Sequence, residues 1–109
     1  MISWDDFTKI DMRVGRIIEA SPFPEARRPA YKVVVDLGPE IGIKKSSAQI
    51  TDHYQIDDLI GKQVLCVVNF PPKQIGPHIS EVLVTGFVQD SGVTLCIPEQ
   101  QIPNGTRLL

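Results

Sequence analysis

From Met12 onward the chain alternates apolar and polar residues with a period of two, segment after segment, broken by clusters of proline and glycine. Successive side chains on a strand point to opposite faces, so each such segment has one face to bury, and sheets closed or stacked on themselves do that. In the first segment Met12, Val14, Arg16, Ile18 and Ala20 face one way, and Arg13, Gly15, Ile17 and Glu19 the other. Pro22, Pro24 and Pro29 interrupt regular structure over residues 22–30, after which Tyr31, Val33, Val35 and Leu37 alternate with Lys32, Val34 and Asp36. Gly38-Pro39-Glu40-Ile41-Gly42 makes a tight connection, and Ile43 to Ile50 reads as a third strand with one notably polar face. Ile56 to Ile60, closed by Gly61, is a single helical turn. Strands over Gln63–Phe70, Ile79–Phe87 and Val93–Ile97 follow, then a tail from Pro98 to Leu109.

Three strands, a short helix and further strands within 109 residues predict an all-β fold with short helices. The expected architecture is a five-stranded Greek-key barrel of the OB type, with an N-terminal helix and a short helix between strands 3 and 4. A β-sandwich is the alternative that the same turn spacing allows. A chain of this length suits a single domain spanning residues 1–109, large enough to bury roughly 65% of its unfolded surface. At the start, Ser3 and Asp6 form a capping-box pattern, and Trp4, Phe7 and Ile10 follow at helical spacing. They predict a helix over residues 4–9. It is too short to stand alone, so Trp4 and Phe7 must pack on this domain's own core or on a partner subunit.

The longest apolar run, Val64 to Val68, is far below the roughly 20 residues of a membrane helix, and Met1 to Asp6 lacks the features of a signal peptide. A cytoplasmic protein without membrane insertion is expected. Cys66 and Cys96 sit among apolar residues, as reduced core cysteines do. A net charge of −2 argues against nonspecific coating of nucleic acid, while Arg27, Arg28, Lys32, Lys44, Lys45 and Lys73 leave room for a local basic patch.

Catalytic patterns are missing. His53 and His78 have no cysteine or carboxylate at metal-ligand spacing, and the glycines before Lys44 are wrongly spaced for a phosphate loop and precede a strand. Ser80 beside Glu81 lacks both a third triad member and a nucleophile elbow. No cofactor, metal or enzymatic activity is expected; a binding module fits better. The polar residues around the proline-rich stretch Asn69 to Ser80 are its candidate rim: Asn69, Ser80 and Glu81, extended by Lys44, Ser46, Ser47 and Gln49 of the third strand. Alternatively, Asn69 and Ser80 only tie down the loop by bonding backbone.

Asp11-Met12-Arg13-Val14-Gly15-Arg16-Ile17, Pro24-Glu25-Ala26, Asp58-Leu59-Ile60-Gly61-Lys62 and Pro103-Asn104-Gly105-Thr106-Arg107 resemble, in order and spacing, the tRNA-binding OB domains of bacterial methionyl-tRNA synthetases and of the endothelial monocyte-activating polypeptide family. Within that family, Gly42 to Thr51, Val68-Asn69-Phe70-Pro71-Pro72-Lys73 and Ser80 to Val84 are similar to the CsaA-type secretion-related chaperones. The resemblance implies a homodimer, with Trp4 and Phe7 in the subunit contact. It also implies binding of unfolded or export-bound polypeptides and association with the preprotein translocase. No nucleotide site is visible, so such binding would be ATP-independent.

The tRNA-binding relatives carry a basic loop after the asparagine; this chain has Pro71-Pro72-Lys73-Gln74-Ile75-Gly76-Pro77 and loses two basic residues. Each loss removes a phosphate contact and its counterion release, so tRNA binding is expected to be weak. Phe70 and Ile75 make the replaced loop more apolar, as a peptide groove requires. The competing expectation is an RNA-binding module using Arg13, Lys44, Lys45 and Lys73 on phosphates, with Asn69 and Ser80 on bases or ribose.

Overall fold

A computed structural model describes residues 1–109. Helix α1 (Trp4–Thr8) opens on the expected capping box: Ser3 Oγ accepts from the Asp6 amide at 3.2 Å and Asp6 Oδ2 from the Ser3 amide at 3.0 Å. The hydrogen bond from the Ser3 backbone amide and, after it, the one from the Ser3 side chain hold the Asp6 carboxyl below its ordinary range. Strands β1 (Met12–Pro22), β2 (Tyr31–Asp36) and β3 (Ile43–Ala48) follow, with a helical turn α2 (Gly38–Ile41) at the tight connection. Helix α3 (Ile56–Leu59) leads into β4 (Gln63–Val67). The rest of the chain forms short strands: β5 (Lys73–Ile75), β6 (His78–Ser80), β7 (Leu83–Val84), β8 (Gly86–Gln89) and β9 (Gly92–Leu95).

Five strands form one antiparallel sheet in the order β3-β2-β1-β4-β7, coiled into a nearly closed OB barrel; β5–β6 and β8–β9 are separate hairpins. Ile17 of β1, Val64 and Cys66 of β4, and Val33, Val35 and Leu37, the apolar face that the period-two pattern assigned to β2, fill the interior. Gly15 admits this packing, since a Cβ there would lie 2.5 Å from Val35 Cγ1. The tail completes the barrel wall: Gly105 donates to the Val14 carbonyl at 2.7 Å and Val14 to that of Thr106 at 3.0 Å, along the part of β1 that β2 does not cover.

The third and fourth strands end earlier than expected, at Ala48 and Val67, and the structure departs from the sequence expectation in three further places. A β-bulge falls between Ile17 and Glu19, so Ala20 comes to the core side opposite Val33 while Ile18 is left 38% exposed. The strand expected over Ile79–Phe87 is cut into β6, β7 and part of β8, because Glu81 turns aside to bond Lys45 and Thr85 bonds Leu65 twice, through its amide and its hydroxyl. The proline-rich loop itself holds the β5–β6 hairpin, with Lys73 opposite Ser80 and Gly76 at a φ of +56° in the turn.

Candidate functional site

Strands β3 and β7 are the two outer strands of the sheet, and no ladder joins them. One backbone bond and several side chains close the barrel there instead. The Glu81 amide donates to the Lys45 carbonyl at 2.8 Å, and its carboxylate accepts from the Lys45 amide at 3.0 Å, so one residue replaces a pair of ladder bonds. Ser46 is fully buried, and its Oγ donates to the Val82 carbonyl at 2.6 Å, with Ser80 Oγ 3.3 Å away. His78 Nε2 donates to the Ser46 carbonyl at 3.1 Å, and its ring meets Phe23 edge-on at 5.3 Å. Three of the polar residues expected on a ligand rim, Ser46, Ser80 and Glu81, therefore meet at this seam.

Beyond the seam the two sides part and leave an open cleft of about 830 Å³. The residue 22–30 loop, the end of β3, the β5–β6 hairpin and the β7–β8–β9 segments surround it. Its surface is more apolar than polar, with Phe23, Ile50, Ile75, Val88 and Val93 among its walls. Arg27, Arg28 and Lys73 line the rim, with Glu25 as the one carboxylate. Of the residues singled out from sequence, the cleft brings together Ser47, Gln49, Lys73 and Ile75.

The remaining candidates lie elsewhere. Both ends of the Asn69 amide are bound by backbone: Nδ2 donates to the Lys9 carbonyl at 2.7 Å and Oδ1 accepts from the Asp11 amide at 3.0 Å, pinning α1 to the end of β4. The Arg13 guanidinium is engaged by Asp11 at 2.7 Å, Glu40 at 3.3 Å and the Gly105 carbonyl at 3.1 Å. The Asp11 hydrogen bond raises its pKa above the ordinary arginine value, against partial desolvation. Phe70 is 55% exposed and outside the cleft, and Lys44 stands opposite Val35 on β3. Lys45 borders a shallower groove on the outer side of β1–β3, together with Lys32, His78, Ile18 and Ile60. Trp4 is 64% exposed and stacks obliquely on Phe7 at 5.6 Å. Sequence reasoning missed Phe23 and named Arg27 and Arg28 only as members of a basic patch; the proline-broken loop carries all three to the cleft.

The profile of the family described as "Putative tRNA binding domain" matches residues 12–107. The chain belongs to that family. Two full-length structural relatives superpose on it with a TM-score of 0.94: the chaperone CsaA of Bacillus anthracis strain Ames, 46% identical, and the CsaA chaperone protein of Picrophilus torridus, 52% identical. Each covers 100% of this chain, and this chain covers 99% and 100% of theirs. A methionine–tRNA ligase of Leptospira interrogans is 38% identical over 107 residues, 98% of this chain. The chain spans only 14 to 16% of the length of such ligases.

Within the family frame, the cleft and the outer groove offer different chemistry. The cleft presents a mixed, more apolar than polar surface with the cations Arg27, Arg28 and Lys73 at its edge. The outer groove lies on the strand 2–3 face with which OB folds take oligonucleotides, and it carries Lys32, Lys45 and His78 beside Glu19.

Proposed function

We propose that this protein is an ATP-independent chaperone that holds extended segments of unfolded or export-bound polypeptides in the cleft. One observation carries the reading: a mostly apolar cleft of about 830 Å³ stands open beside the barrel seam, within the range of about 300–1,000 Å³ typical of ligand sites. The full-length likeness to two chaperones supports it. Ser47, Gln49, Lys73 and Ile75 contact the bound segment, while Ser46, Ser80 and Glu81 hold the seam against which it rests. In cells the protein acts in the cytoplasm, with the preprotein translocase as the receiving partner.

The working form in this reading is a homodimer. Trp4 projects from α1 beside Phe7, and Ile2, Leu108 and Leu109 are exposed as well. A stable contact covers about 800 Å² per partner, and burying such large side chains supplies its apolar centre. Sedimentation is expected to give twice the chain mass for the parent and a shift toward monomer for Trp4→Ala. A monomeric parent would remove Trp4 and Phe7 from any subunit contact.

A second reading has its own observation. Lys32, Lys45 and His78 line the outer groove and Arg27 and Arg28 the adjacent loop, a basic arrangement fit for RNA phosphates. Titration of the protein with a fluorescent unfolded polypeptide and with tRNA, each at low and high salt, separates the two. Apolar capture holds its affinity as salt rises, whereas phosphate binding falls steeply through counterion release. Salt-tolerant polypeptide binding is expected. Salt-sensitive tRNA binding with no polypeptide binding would replace the chaperone reading with the RNA one.

A further inference from the structure

We infer that the cleft takes its polypeptide as an added β-strand, paired through main-chain hydrogen bonds to the free edge of β7–β8. This inference rests on the polypeptide-binding reading and specifies how the chain is held.

The argument starts from where backbone groups point. The Thr85 amide donates to the Leu65 carbonyl at 3.0 Å, and the Thr85 carbonyl accepts from the Cys96 amide at 3.2 Å. Both main-chain groups of Thr85 therefore face neighbouring strands. In an antiparallel strand those groups alternate in direction from residue to residue. Val84 and Gly86, in the opposite phase, direct theirs away from β4 and β9, toward the side where β3 would pair if the barrel were fully closed. Val82 is in the same phase, and its carbonyl does point that way, at Ser46 Oγ. Val88 follows in phase with Gly86. Val84, Gly86 and Val88 all line the cleft, so the unpaired edge runs along its wall.

An unpaired strand edge beside an apolar trough is the geometry of strand addition: backbone bonds supply affinity that is independent of sequence, and alternate side chains enter the trough. The opposite wall is less able to pair. On that side β3 ends at Ala48, so only Ser47 and Ala48 of the strand border the cleft, with Gln49 and Ile50 beyond its end. Charge narrows the occupant. Three cations, Arg27, Arg28 and Lys73, stand against Glu25 around the opening, so an apolar segment with acidic residues at its ends fits better than one with basic ends.

The test uses the full chain and a short peptide of alternating valine and threonine with glutamates at both ends. Two variants carry backbone N-methyl groups, one on the odd central residues and one on the even. Pairing along one edge predicts that one variant, and not the other, loses about tenfold or more in affinity, the worth of one or two main-chain bonds. It also predicts slowed hydrogen exchange at the Val84 and Gly86 amides on binding, and weaker binding of a lysine-ended version. Equal affinity of both variants, or binding without protection of those two amides, would overturn the strand. So would capture of an unfolded polypeptide by a protein that ignores this peptide. If neither is bound, the chaperone reading itself falls, and the strand with it.

Discussion

The barrel is built in two ways. Around β3-β2-β1-β4 it is a continuous ladder in which backbone pairs with backbone, and the interior is filled by fully buried Ile17, Val35, Leu37 and Val64. Across the seam from β3 to β7 there is no ladder; one backbone bond, from the Glu81 amide to the Lys45 carbonyl, is joined by the side chains of Ser46, Ser80, Glu81 and His78. A ladder accepts any residue with an amide and the right face; a seam of side chains accepts only residues with the right oxygen in the right place. Polar residues concentrated on one short stretch can therefore be structural, and an opening beside them is where a binding surface can form without breaking a ladder.

The largest expected effect breaks the comparison from the ladder side. Leu37 has no exposed surface, and Leu37→Ala should cost about 2–5 kcal/mol, from lost transfer energy plus the cavity left behind. Ser46→Ala attacks the seam. It removes the 2.6 Å bond to the Val82 carbonyl and should cost about 1–3 kcal/mol, the penalty of leaving a buried acceptor poorly satisfied. Urea unfolding gives both numbers, and hydrogen exchange separates them: Ser46→Ala should speed exchange at residues 81–85 while β1 and β2 amides keep their parent protection. A Ser46→Ala variant with parental stability and exchange would mean that Ser46 is not among the groups that hold the seam.

How much of this was legible in the sequence follows the same division. The laddered strands were readable because each buries one face, and Val33, Val35 and Leu37 mark that face by alternation alone. The α1 capping box was readable because Ser3 and Asp6 act locally, three residues apart. The bulge at Ile18 was not, since it depends on how β1 turns between two partners rather than on its own pattern. Asn69, Ser80 and Glu81 were visible as unusual polar residues, but their partners are distant along the chain. Glu81 meets Lys45 and Asn69 meets Lys9 only after the barrel has closed. Arg13 misled for a similar reason: an arginine in a strand looks like a free cation until Asp11, Glu40 and Gly105 are found around it.

A smaller effect sharpens the comparison by charging the laddered side while leaving the seam's hydrogen bonds in place. Cys66 lies on β4 with no exposed surface, and burial pushes its thiol from an ordinary value of 9.0 up to about 12. The thiolate is thus disfavoured only in the folded protein. Below pH 9 both states keep the proton and the contribution to stability is whole; between about 9 and 12 the unfolded chain releases it while the folded one does not, and stability is lost as pH rises. At pH 10 the loss is about 1.4 kcal/mol, one pH unit above the unfolded value. Tyrosines and lysines also titrate there, so the measurement is a difference: urea unfolding at pH 8 and pH 10 for the parent and for Cys66→Ala. The alanine variant starts less stable because of its cavity, yet it should fall by about 1.4 kcal/mol less between the two pH values. An equal fall in parent and Cys66→Ala would show that the β4 interior opens to hydroxide before the molecule unfolds, and that the laddered side is no tighter than the seam.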